Sequence, residues 1–594
     1  MTVYSVPLRE MRFVLHDVFG AADKLTALPG YEDATADLMD AVLDECAKLC
    51  EGVLFPINQS SDQEGCTFKD GKVTTPKGFK EAYKQYAEGG WCGLTASPEY
   101  GGQGLPETID YLVGEMVGSA NLSLGLYPGL TQGTILALAA LGTLEQKSYY
   151  LPKLVSGAWQ GTMCLTESHA GSDLGLLRTK AVPNGDGTYS VSGTKIFISA
   201  GEHDMTDNHV HLVLARLPDA PEGSRGISMF LVPKFLPNAD GSLGKRNAAA
   251  AGSIEHKMGM KASVTCVMNF DGATGWLVGQ PHKGLAGMFV MMNKERLFVG
   301  SQGISQAEVA YQSAVAYAKD RLQGRAADGI ARPDKPADPI IVHPDIRNRL
   351  MFSRSIVEAA RALAVWAHIQ VDISHKHPDA AARQHAEDMA GLMTPIVKAS
   401  GTDYGSEITN ACLQVFGGHG YIREHGMEQL VRDVRITQIY EGTNTIQSLD
   451  LVGRKLGLDN GRLFTGWLKE VDATVKRVAG RNEMAEFVTP LKDAVERLKA
   501  LTMWMGDESK NDANARAAAA NDYLRIFSLT AFAWCWVTMI EAALAKKDSD
   551  ADFAATKLHV GRYFMQRVLP QIASLDAVVR SGSKPLMALG EGAF

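Results

Sequence analysis

The stretch Gln414-Val-Phe-Gly-Gly-His-Gly-Tyr421, followed by Arg432-Asp-Val-Arg-Ile-Thr-Gln-Ile-Tyr-Glu-Gly-Thr-Asn444, decides how this chain is interpreted. Gly417 and Gly418 allow a ligand to approach the backbone closely, because glycine has no Cβ. Two motifs upstream of this stretch have to be considered together with it.

The first upstream motif is Met163-Cys-Leu-Thr-Glu-Ser-His-Ala-Gly-Ser-Asp173. Its small residues and backbone amides can come close to a planar ring system. The second motif is Gly193-Thr-Lys-Ile-Phe-Ile-Ser199, which predicts a strand whose Phe197 covers an aromatic cofactor while Ser199 donates a hydrogen bond. Taken alone, the two segments are more simply a glycine-containing turn and a buried strand.

The composition excludes several classes of protein. The chain has 594 residues, of which 45% are hydrophobic and 21% charged, so it can bury a large core in several domains. Its 59 basic and 67 acidic residues give a net charge of −8 without a block of like charge. This balance argues against an electrostatic nucleic-acid binder and favours small-molecule chemistry.

Targeting and cysteine patterns point to the cytoplasm. The first thirty residues mix acidic and basic side chains and have no long apolar core, so they do not form a signal peptide. The most apolar stretch, Leu529–Ile540, is shorter than the roughly 20 residues that span a bilayer, and no transmembrane helix is expected. The eight cysteines form no CxxC pair, which argues against a zinc site, and their apolar neighbours predict reduced core thiols.

Periodicity divides the chain into four regions and an α+β fold. We predict an N-terminal helical domain over 1–158, a middle β domain of barrel or sandwich type over 159–284, a second helical bundle over 285–458 and an additional helical domain over 459–594. Within the β domain the predicted strands are Tyr189–Ser199, His209–Leu217, Gly226–Pro233 and Ser263–Asp271. A surface loop is expected over Gly324–Pro344, and an exposed connector over Gly506–Arg516.

Taken in chain order, the four motifs at 163–173, 193–199, 414–421 and 432–444 closely resemble those of the acyl-CoA dehydrogenase family. The resemblance covers roughly Glu45–Leu456, and the extra C-terminal region makes the chain most similar to the long bacterial members, particularly the 3-methylmercaptopropionyl-CoA dehydrogenases. It implies the four-part dehydrogenase fold, with FAD between the β domain and the second helical domain and an acyl-CoA thioester against the flavin. The implied reaction is α,β-dehydrogenation to the trans-2-enoyl-CoA, with hydride transfer to flavin N5.

The resemblance also implies a catalytic base. A thioester α-proton is weakly acidic, so its removal needs a positioned base and donors to the carbonyl oxygen. In the family the glutamate of Tyr-Glu-Gly-Thr is the base, which is Glu441 here. Some members place the base before an arginine in the first helix after the β domain, and Glu295-Arg296 occupies that position. Because Tyr440–Thr443 is intact, catalysis is assigned to Glu441, and Glu295 is expected on the helix surface or a pocket wall.

The remaining site residues are carried over from the family by motif. The residues expected to bind the cofactor are Leu165, Thr166, Phe197, Ser199, Arg321, Gln323, Gln414, Gly417, Gly418, Thr443 and Thr445. Those expected to bind the substrate are Ser172, Asn293, Arg296 and Gly442. Phe197 stands where the family usually has tryptophan, and Ser168 replaces a proline. The run Arg321-Leu-Gln-Gly324 departs from the family's Arg-x-x-Phe-Gly.

The resemblance implies two protein partners, a second subunit and an electron acceptor, and two alternative functions have to be weighed against dehydrogenation. Gln414, Gly417 and Gly418 are expected to complete the FAD site of a neighbouring subunit, so a homodimer is predicted, with an electron-transfer flavoprotein as electron acceptor. An acyl-CoA oxidase has the same fold and base, and sequence separates it poorly from a dehydrogenase. A non-catalytic nucleic-acid-associated relative is disfavoured, because the region from Gly461 onward has 18 basic against 16 acidic residues. His169 and His419 are read as hydrogen-bonding loop residues, and no metal is expected.

Overall fold

The computed structural model describes residues 2–238 and 240–594. Its helices are α1 (Leu8–Arg12), α2 (Ala21–Thr26), α3 (Ala36–Leu49), α4 (Asn58–Glu64), α5 (Phe79–Glu88), α6 (Glu107–Leu141), α7 (Leu144–Val155), α8 (Gly284–Asp320), α9 (Pro344–Lys376), α10 (Ala380–Val415), α11 (Met427–Arg435), α12 (Asn444–Asp450), α13 (Arg462–Arg477), α14 (Ala485–Glu508), α15 (Ala515–Ala545), α16 (Ala551–Tyr563), α17 (Ile572–Arg580) and α18 (Lys584–Met587). Its strands are β1 (Thr67–Lys69), β2 (Lys72–Thr74), β3 (Trp159–Cys164), β4 (Lys180–Pro183), β5 (Tyr189–Ser199), β6 (Asn208–Arg216), β7 (Ile227–Pro233), β8 (Phe235–Pro237), β9 (Leu243–Arg246), β10 (Ala249–Ile254) and β11 (Thr265–Val278).

Contacts group the chain into two compact units. The β unit comprises Glu45–Pro106 and Met116–Arg296, and the helical unit comprises Met1–Asp44, Glu107–Glu115 and Leu297–Phe594. The helical unit thus includes both the second helical bundle and the C-terminal region, which the sequence treats as separate. The four-domain division itself stays a prediction.

The sheet of the β unit closes on itself. Strands β11, β5, β4 and β6 follow one another, and β7 pairs with both β6 and β11, which completes a ring. Strands β10 and β3 extend this ring at β11 and β6. Every residue of β7 is buried, as expected for a continuous apolar strand enclosed on both faces. The predicted α+β fold with a barrel-like middle region is therefore confirmed.

The four predicted strands are present in the structure, but β1, β2, β3, β4, β8, β9 and β10 were not predicted. Strand β5 has the bounds predicted from alternation, and the other three predicted strands are present with ends shifted by one or more residues. The predicted loop and connector fall between α8 and α9 and between α14 and α15. The hairpin β1–β2 was missed in a region read as helical. Its turn, Asp70-Gly71, has positive φ at both residues, the conformation that favours Asp-Gly between paired strands.

The helical unit is organised around long buried helices. Helices α9 and α10 pack along each other, and α15 packs against α9, α12 and α14. Helix α15 is buried without a break from Ile526 to Ile540, including Phe527, Trp534 and Trp536. A helix that is apolar on all sides has to be enclosed by neighbours, which explains why the C-terminal region belongs to this unit.

Ionic groups are buried within the helical bundle as well. Arg361 of α9 is 1% exposed and donates to Glu115 at 2.8 Å and 2.6 Å and to Glu308 at 2.7 Å. One guanidinium therefore satisfies two carboxylates, and this geometry is what makes burying three charges tolerable. Asp372 of α9 accepts hydrogen bonds from the amides of Glu107 and Thr108, so it caps the N-terminus of α6.

Two helices are long and apolar enough to cross a membrane by length and composition, α6 and α15. The apolar stretch Leu529–Ile540 is thus the middle of a longer helix than its own length indicates. Of the most apolar window in each helix, 67% of α6 and 89% of α15 is buried inside the protein, as in core helices. The eight cysteines are all free, and all but Cys66 are buried.

Candidate active site

The loop after β3 is held by a buried ion pair in the β unit. Lys195 of β5 is 0% exposed and donates to Glu167 Oε1 at 2.8 Å and to the carbonyl oxygen of Leu165 at 2.9 Å. Glu167 also accepts from the amides of Arg178 and Thr179 and from the Thr179 hydroxyl. Burial raises the pKa of Glu167, but the Lys195 ammonium and the hydroxyl and amide donors outweigh it and lower this pKa to about 2. The carbonyl of Leu165 and the backbone that leads to Thr166 are thereby fixed in place.

Strand β5 carries a bulge at the second motif. Opposite it, Cys266 pairs with Ile198 and Met268 with Lys195, so two residues of β5 face one residue of β11. Phe197 lies in this bulge with φ 59°, and its side chain is 60% exposed. A β-bulge redirects a side chain, and an aromatic residue at positive φ is a rare conformation that is found where function requires it.

The bulge joins the two upstream motifs. Because Ile196 leaves the regular ladder, its amide donates to the carbonyl oxygen of Thr166 at 2.9 Å. Leu165, Thr166 and Ser199 are half-buried, and Ser172 is exposed on the same loop. The structure therefore brings together the flavin-contacting residues that the sequence predicts in this unit.

The predicted substrate residues at the start of α8 differ in exposure. Asn293 is exposed, whereas the side chains of Glu295 and Arg296 are buried. Arg296 Nε has no hydrogen-bond partner among the described residues, and its guanidinium lies 5.5 Å from the Phe289 ring centroid. A buried cation with an unused donor is suited to an anionic group of a ligand. Glu295 is not on the helix surface: it packs against α6, where a Cβ added at Gly133 would lie 2.8 Å from its Oε1.

The turn that carries Glu441 lies in the helical unit and has an unusual backbone. Glu441 has φ 56° and Gly442 has φ 79°, so two consecutive residues are left-handed. Gln447 of α12 is 1% exposed and donates to the carbonyl oxygens of both at 3.2 Å. Left-handed backbone costs a non-glycine residue on the order of 1 kcal/mol, so this conformation depends on the contacts that hold it.

The two threonines that follow Glu441, Thr443 and Thr445, are hydrogen-bonded within the protein. The hydroxyl of Thr443 accepts from the amide of Ile446 and caps α12. The hydroxyl of Thr445 accepts from Asn521 of α15 at 3.4 Å. Their predicted contacts with the cofactor stay predictions.

The glycine loop and the end of α8 come together elsewhere in the helical unit. The ring of Tyr317 stacks on Phe416 at 4.1 Å, and its hydroxyl hydrogen-bonds to His419 at 2.9 Å. Arg321 follows Tyr317 by one helical turn, and Arg321, Gln323, Gln414, Gly417 and Gly418 are all exposed. A Cβ built at Gly417 or Gly418 meets no atom within 4 Å. This surface is open to an approaching group, and its glycines leave room for backbone contact.

The histidines of the motifs have ordinary partners. His169 hydrogen-bonds to the carbonyl oxygen of Leu176 at 3.1 Å, and His419 to Tyr317. Across residues 2–238 and 240–594, no group of histidine, cysteine or acidic side chains is arranged to hold a metal ion.

These residues suit FAD by their chemistry. In the β unit the Phe197 side chain is exposed and the hydroxyl residues Thr166 and Ser199 are half-buried; in the helical unit Gly417 and Gly418 leave open space where a Cβ would stand. Such groups match a planar ring system and a phosphate-bearing tail.

Sequence reasoning missed the residues that support the site. In the β unit, Lys195 binds Glu167 in the loop after β3. In the helical unit, three polar side chains bind the turn at Glu441 or the residues that flank it: Asp403, Lys398 and Gln447. Lys195 and Lys398 interrupt otherwise apolar or small surroundings, and this was the available signal. A charged residue at a buried position needs a partner.

Family models match most of the chain. The acyl-CoA dehydrogenase N-terminal, middle and C-terminal domains match residues 39–158, 162–273 and 282–456, and an acetyl-CoA dehydrogenase C-terminal-like model matches 467–590.

Individual relatives agree with these models over nearly the full length. The chain is 40% identical to a 3-methylmercaptopropionyl-CoA dehydrogenase of Ruegeria pomeroyi, over 96% of this chain and 97% of that protein. It is 33% identical to a butyryl-CoA dehydrogenase of Syntrophomonas wolfei, over 100% of this chain and 99% of that one. Its fold is similar to that of a Bacillus anthracis acyl-CoA dehydrogenase solved with FAD, with a TM-score of 0.76 at 20% identity over 96% and 91% of the two chains. The chain therefore belongs to the acyl-CoA dehydrogenase family of FAD-dependent oxidoreductases.

Proposed function

We propose that Glu441 is the base of an α,β-dehydrogenation in which a short acyl-CoA thioester loses its α-proton to this carboxylate. The observation that carries this proposal is the left-handed turn at Glu441 and Gly442, which is held by Gln447 and presents a half-buried carboxylate. Strained backbone that is held by surrounding contacts clusters at active sites.

The chain's own groups account for the proton chemistry. The carboxylate of Glu441 is proposed to take the α-proton, and its amide is proposed to donate to the thioester oxygen, where enolate charge develops. Arg296 and Asn293 are proposed to bind the CoA portion, together with Ser172. Bound FAD supplies the hydride acceptor for the β-carbon.

The two candidate bases are distinguished by matched substitutions. Glu441→Gln keeps the shape of the side chain and removes its basicity, so flavin reduction should fall about 10²-fold or more while FAD and acyl-CoA still bind. Glu295→Gln is the control and should have a much smaller effect. The assay is anaerobic stopped-flow bleaching of the oxidised flavin band. Near-normal reduction in Glu441→Gln with loss in Glu295→Gln would move the base to Glu295.

The acyl group is proposed to be 3-methylmercaptopropionyl or a short straight chain such as butyryl, because the two relatives named above are called dehydrogenases of these thioesters. A preference for the 3-methylmercaptopropionyl thioester would place the enzyme in dimethylsulfoniopropionate degradation. A preference for a short straight chain would place it in fatty acid oxidation. Steady-state rates across straight chains from four to sixteen carbons and the 3-methylmercaptopropionyl thioester decide this. A kcat/KM that peaks at long chains would contradict the proposal.

Electron transfer and assembly complete the proposed function. We expect an electron-transfer flavoprotein to accept the electrons, with an acyl-CoA oxidase as the alternative, and comparison of aerobic with anaerobic turnover separates the two. The open glycines Gly417 and Gly418 support a homodimer in which they approach the FAD of the second subunit. Light scattering that shows a monomer with full FAD content would contradict this assembly. A cytoplasmic location remains our expectation.

A further inference from the structure

The turn that carries Glu441 is tied at both ends to one carboxylate. Asp403 lies on α10, and its Oδ1 accepts a hydrogen bond from Gln438 Nε2 at 2.6 Å. The same oxygen accepts from Asn444 Nδ2 at 2.6 Å. Gln438 precedes Glu441 by three residues, and Asn444 follows it by three, so a single atom fixes the chain on either side of the base.

A buried lysine completes the attachment. Lys398, one and a half turns before Asp403 on α10, is 0% exposed, and its Nζ donates to Asn444 Oδ1 at 2.8 Å. Asn444 is thus oriented by an ammonium at its oxygen and by a carboxylate at its nitrogen. This fixes which end of the amide faces each partner and holds the first residue of α12.

These contacts explain how the turn keeps its strained backbone. Left-handed φ at Glu441 is unfavourable for a residue with a Cβ, and a free loop would relax it. Gln447 binds the inside of the turn through the carbonyls of Glu441 and Gly442. Asp403 binds the flanks, so that the chain enters and leaves the turn at fixed points.

We propose that Asp403 is a positioning residue for the reaction, which acts by accepting from Gln438 and Asn444 and thereby aiming the Glu441 carboxylate. The proposal rests on the proposed role of Glu441 as base. Asp403 does not itself exchange a proton with substrate. Its removal should lower the rate of proton abstraction because a base displaced by about 1 Å loses up to about 10²-fold in rate.

The test uses the FAD-loaded full chain and compares three single variants. Asp403→Leu removes the acceptor, and flavin reduction should fall between about 10-fold and 100-fold, with acyl-CoA Kd and FAD content unchanged. Asp403→Asn keeps an acceptor oxygen at this position and should retain most of the rate. Asp388→Leu makes the same change on the same helix at an aspartate that pairs with Arg462 instead, and should leave the rate unchanged.

A double variant separates positioning from general destabilisation. In a Glu441→Gln background no base remains to be aimed, so adding Asp403→Leu should not lower the residual rate further. A purely structural role would lower the rate in both backgrounds by the same factor, and this result would overturn the proposal. Should Asp403→Leu fail to fold, Gln438→Met removes one of the two flanking bonds from a half-buried position and should still slow flavin reduction several-fold. A normal rate in Gln438→Met would then overturn the proposal.

The two levels of inference fail differently. Normal flavin reduction in Glu441→Gln would overturn the base assignment, and the positioning role with it. Slow reduction in Glu441→Gln together with a normal rate in Asp403→Leu would overturn the positioning role alone.

Discussion

Replacing Lys195 by methionine should destabilise the β unit and loosen the loop Leu165–Ser172. The variant keeps the length of the buried side chain and removes its ammonium, which bonds to Glu167 and to the carbonyl oxygen of Leu165. Glu167 would remain buried at 5% exposure with only its hydroxyl and amide donors. A buried carboxylate that loses its cation becomes a source of instability.

The magnitude follows from the pKa of Glu167. The fall of this pKa from 4.5 to about 2 corresponds to about 3 kcal/mol in favour of the charged form. The Thr179 hydroxyl and the two amides supply part of that energy, and burial, which lowers the pKa of Lys195, offsets another part, so loss of the ammonium should remove about 2 kcal/mol. Leaving the Leu165 carbonyl without its donor costs about 1 kcal/mol more. The expected total is about 3 kcal/mol.

The assay is urea unfolding of the holoenzyme, combined with titration of the apoenzyme with FAD. Lys180→Met is the matched control, because Lys180 is exposed on neighbouring strand β4 and its loss should cost less than about 0.5 kcal/mol. Since the pKa of Glu167 is lowered by folding, its stabilisation is present above pH 4.5 and is lost as the pH falls toward 2. In Lys195→Met the folded-state pKa of Glu167 should rise, so less stability should be lost as the pH falls below 4.5. Equal stability and equal FAD affinity in the two lysine variants would refute this reasoning.

Two further predictions concern buried charge. Arg361→Met should destabilise the helical unit by about 3–5 kcal/mol, because Glu115 and Glu308 would face each other without a cation. Urea unfolding measures this loss. A change in the free energy of unfolding below about 1 kcal/mol would contradict the prediction. In the β unit, burial lowers the pKa of His203 to about 3 and that of His211 to about 4. Both imidazoles therefore stay neutral in the folded protein at mildly acidic pH, whereas in the unfolded chain they take up protons below pH 6.5. The free energy of unfolding should therefore fall by up to about 1.4 kcal/mol per pH unit for each histidine between pH 6.5 and 4. His211→Gln should make urea midpoints less sensitive to acid. An unchanged dependence of the midpoint on pH would argue against a buried neutral imidazole.

The sequence predicted local elements well where one periodicity dominates. Strand β5 alternates from Tyr189 to Ser199 and was placed with its observed bounds. The hairpin at Asp70-Gly71 was missed although its turn signal is present, because its strands are short and lie among helical segments.

The candidate site was predictable only in its motif residues. Phe197 and Glu441 could be found by motif, but their left-handed backbones could not, since one depends on a bulge against β11 and the other on contacts from α10 and α12. Asp403 and Lys398 are remote in sequence from the turn they support, and no local pattern links them to it. Glu295 was expected on the helix surface or a pocket wall; its burial excludes the surface, and helical periodicity alone could not decide between the two because it does not show which neighbours cover a face.

The packing of α15 has a consequence for how the protein is made. This helix is synthesised after the Glu441 segment, yet its Asn521 reaches Thr445, and its Arg525 binds Glu407, one turn beyond Asp403 on α10. A nascent chain emerging from the ribosome therefore carries the Glu441 segment for some time before its last supporting helix is available. During that interval the faces of α9 and α12 that α15 later covers are exposed, which is a hazard for aggregation. The turn at Glu441 should be among the last parts of the protein to mature, and chains that terminate before Ala515 should be captured by chaperones rather than accumulate as a smaller folded protein.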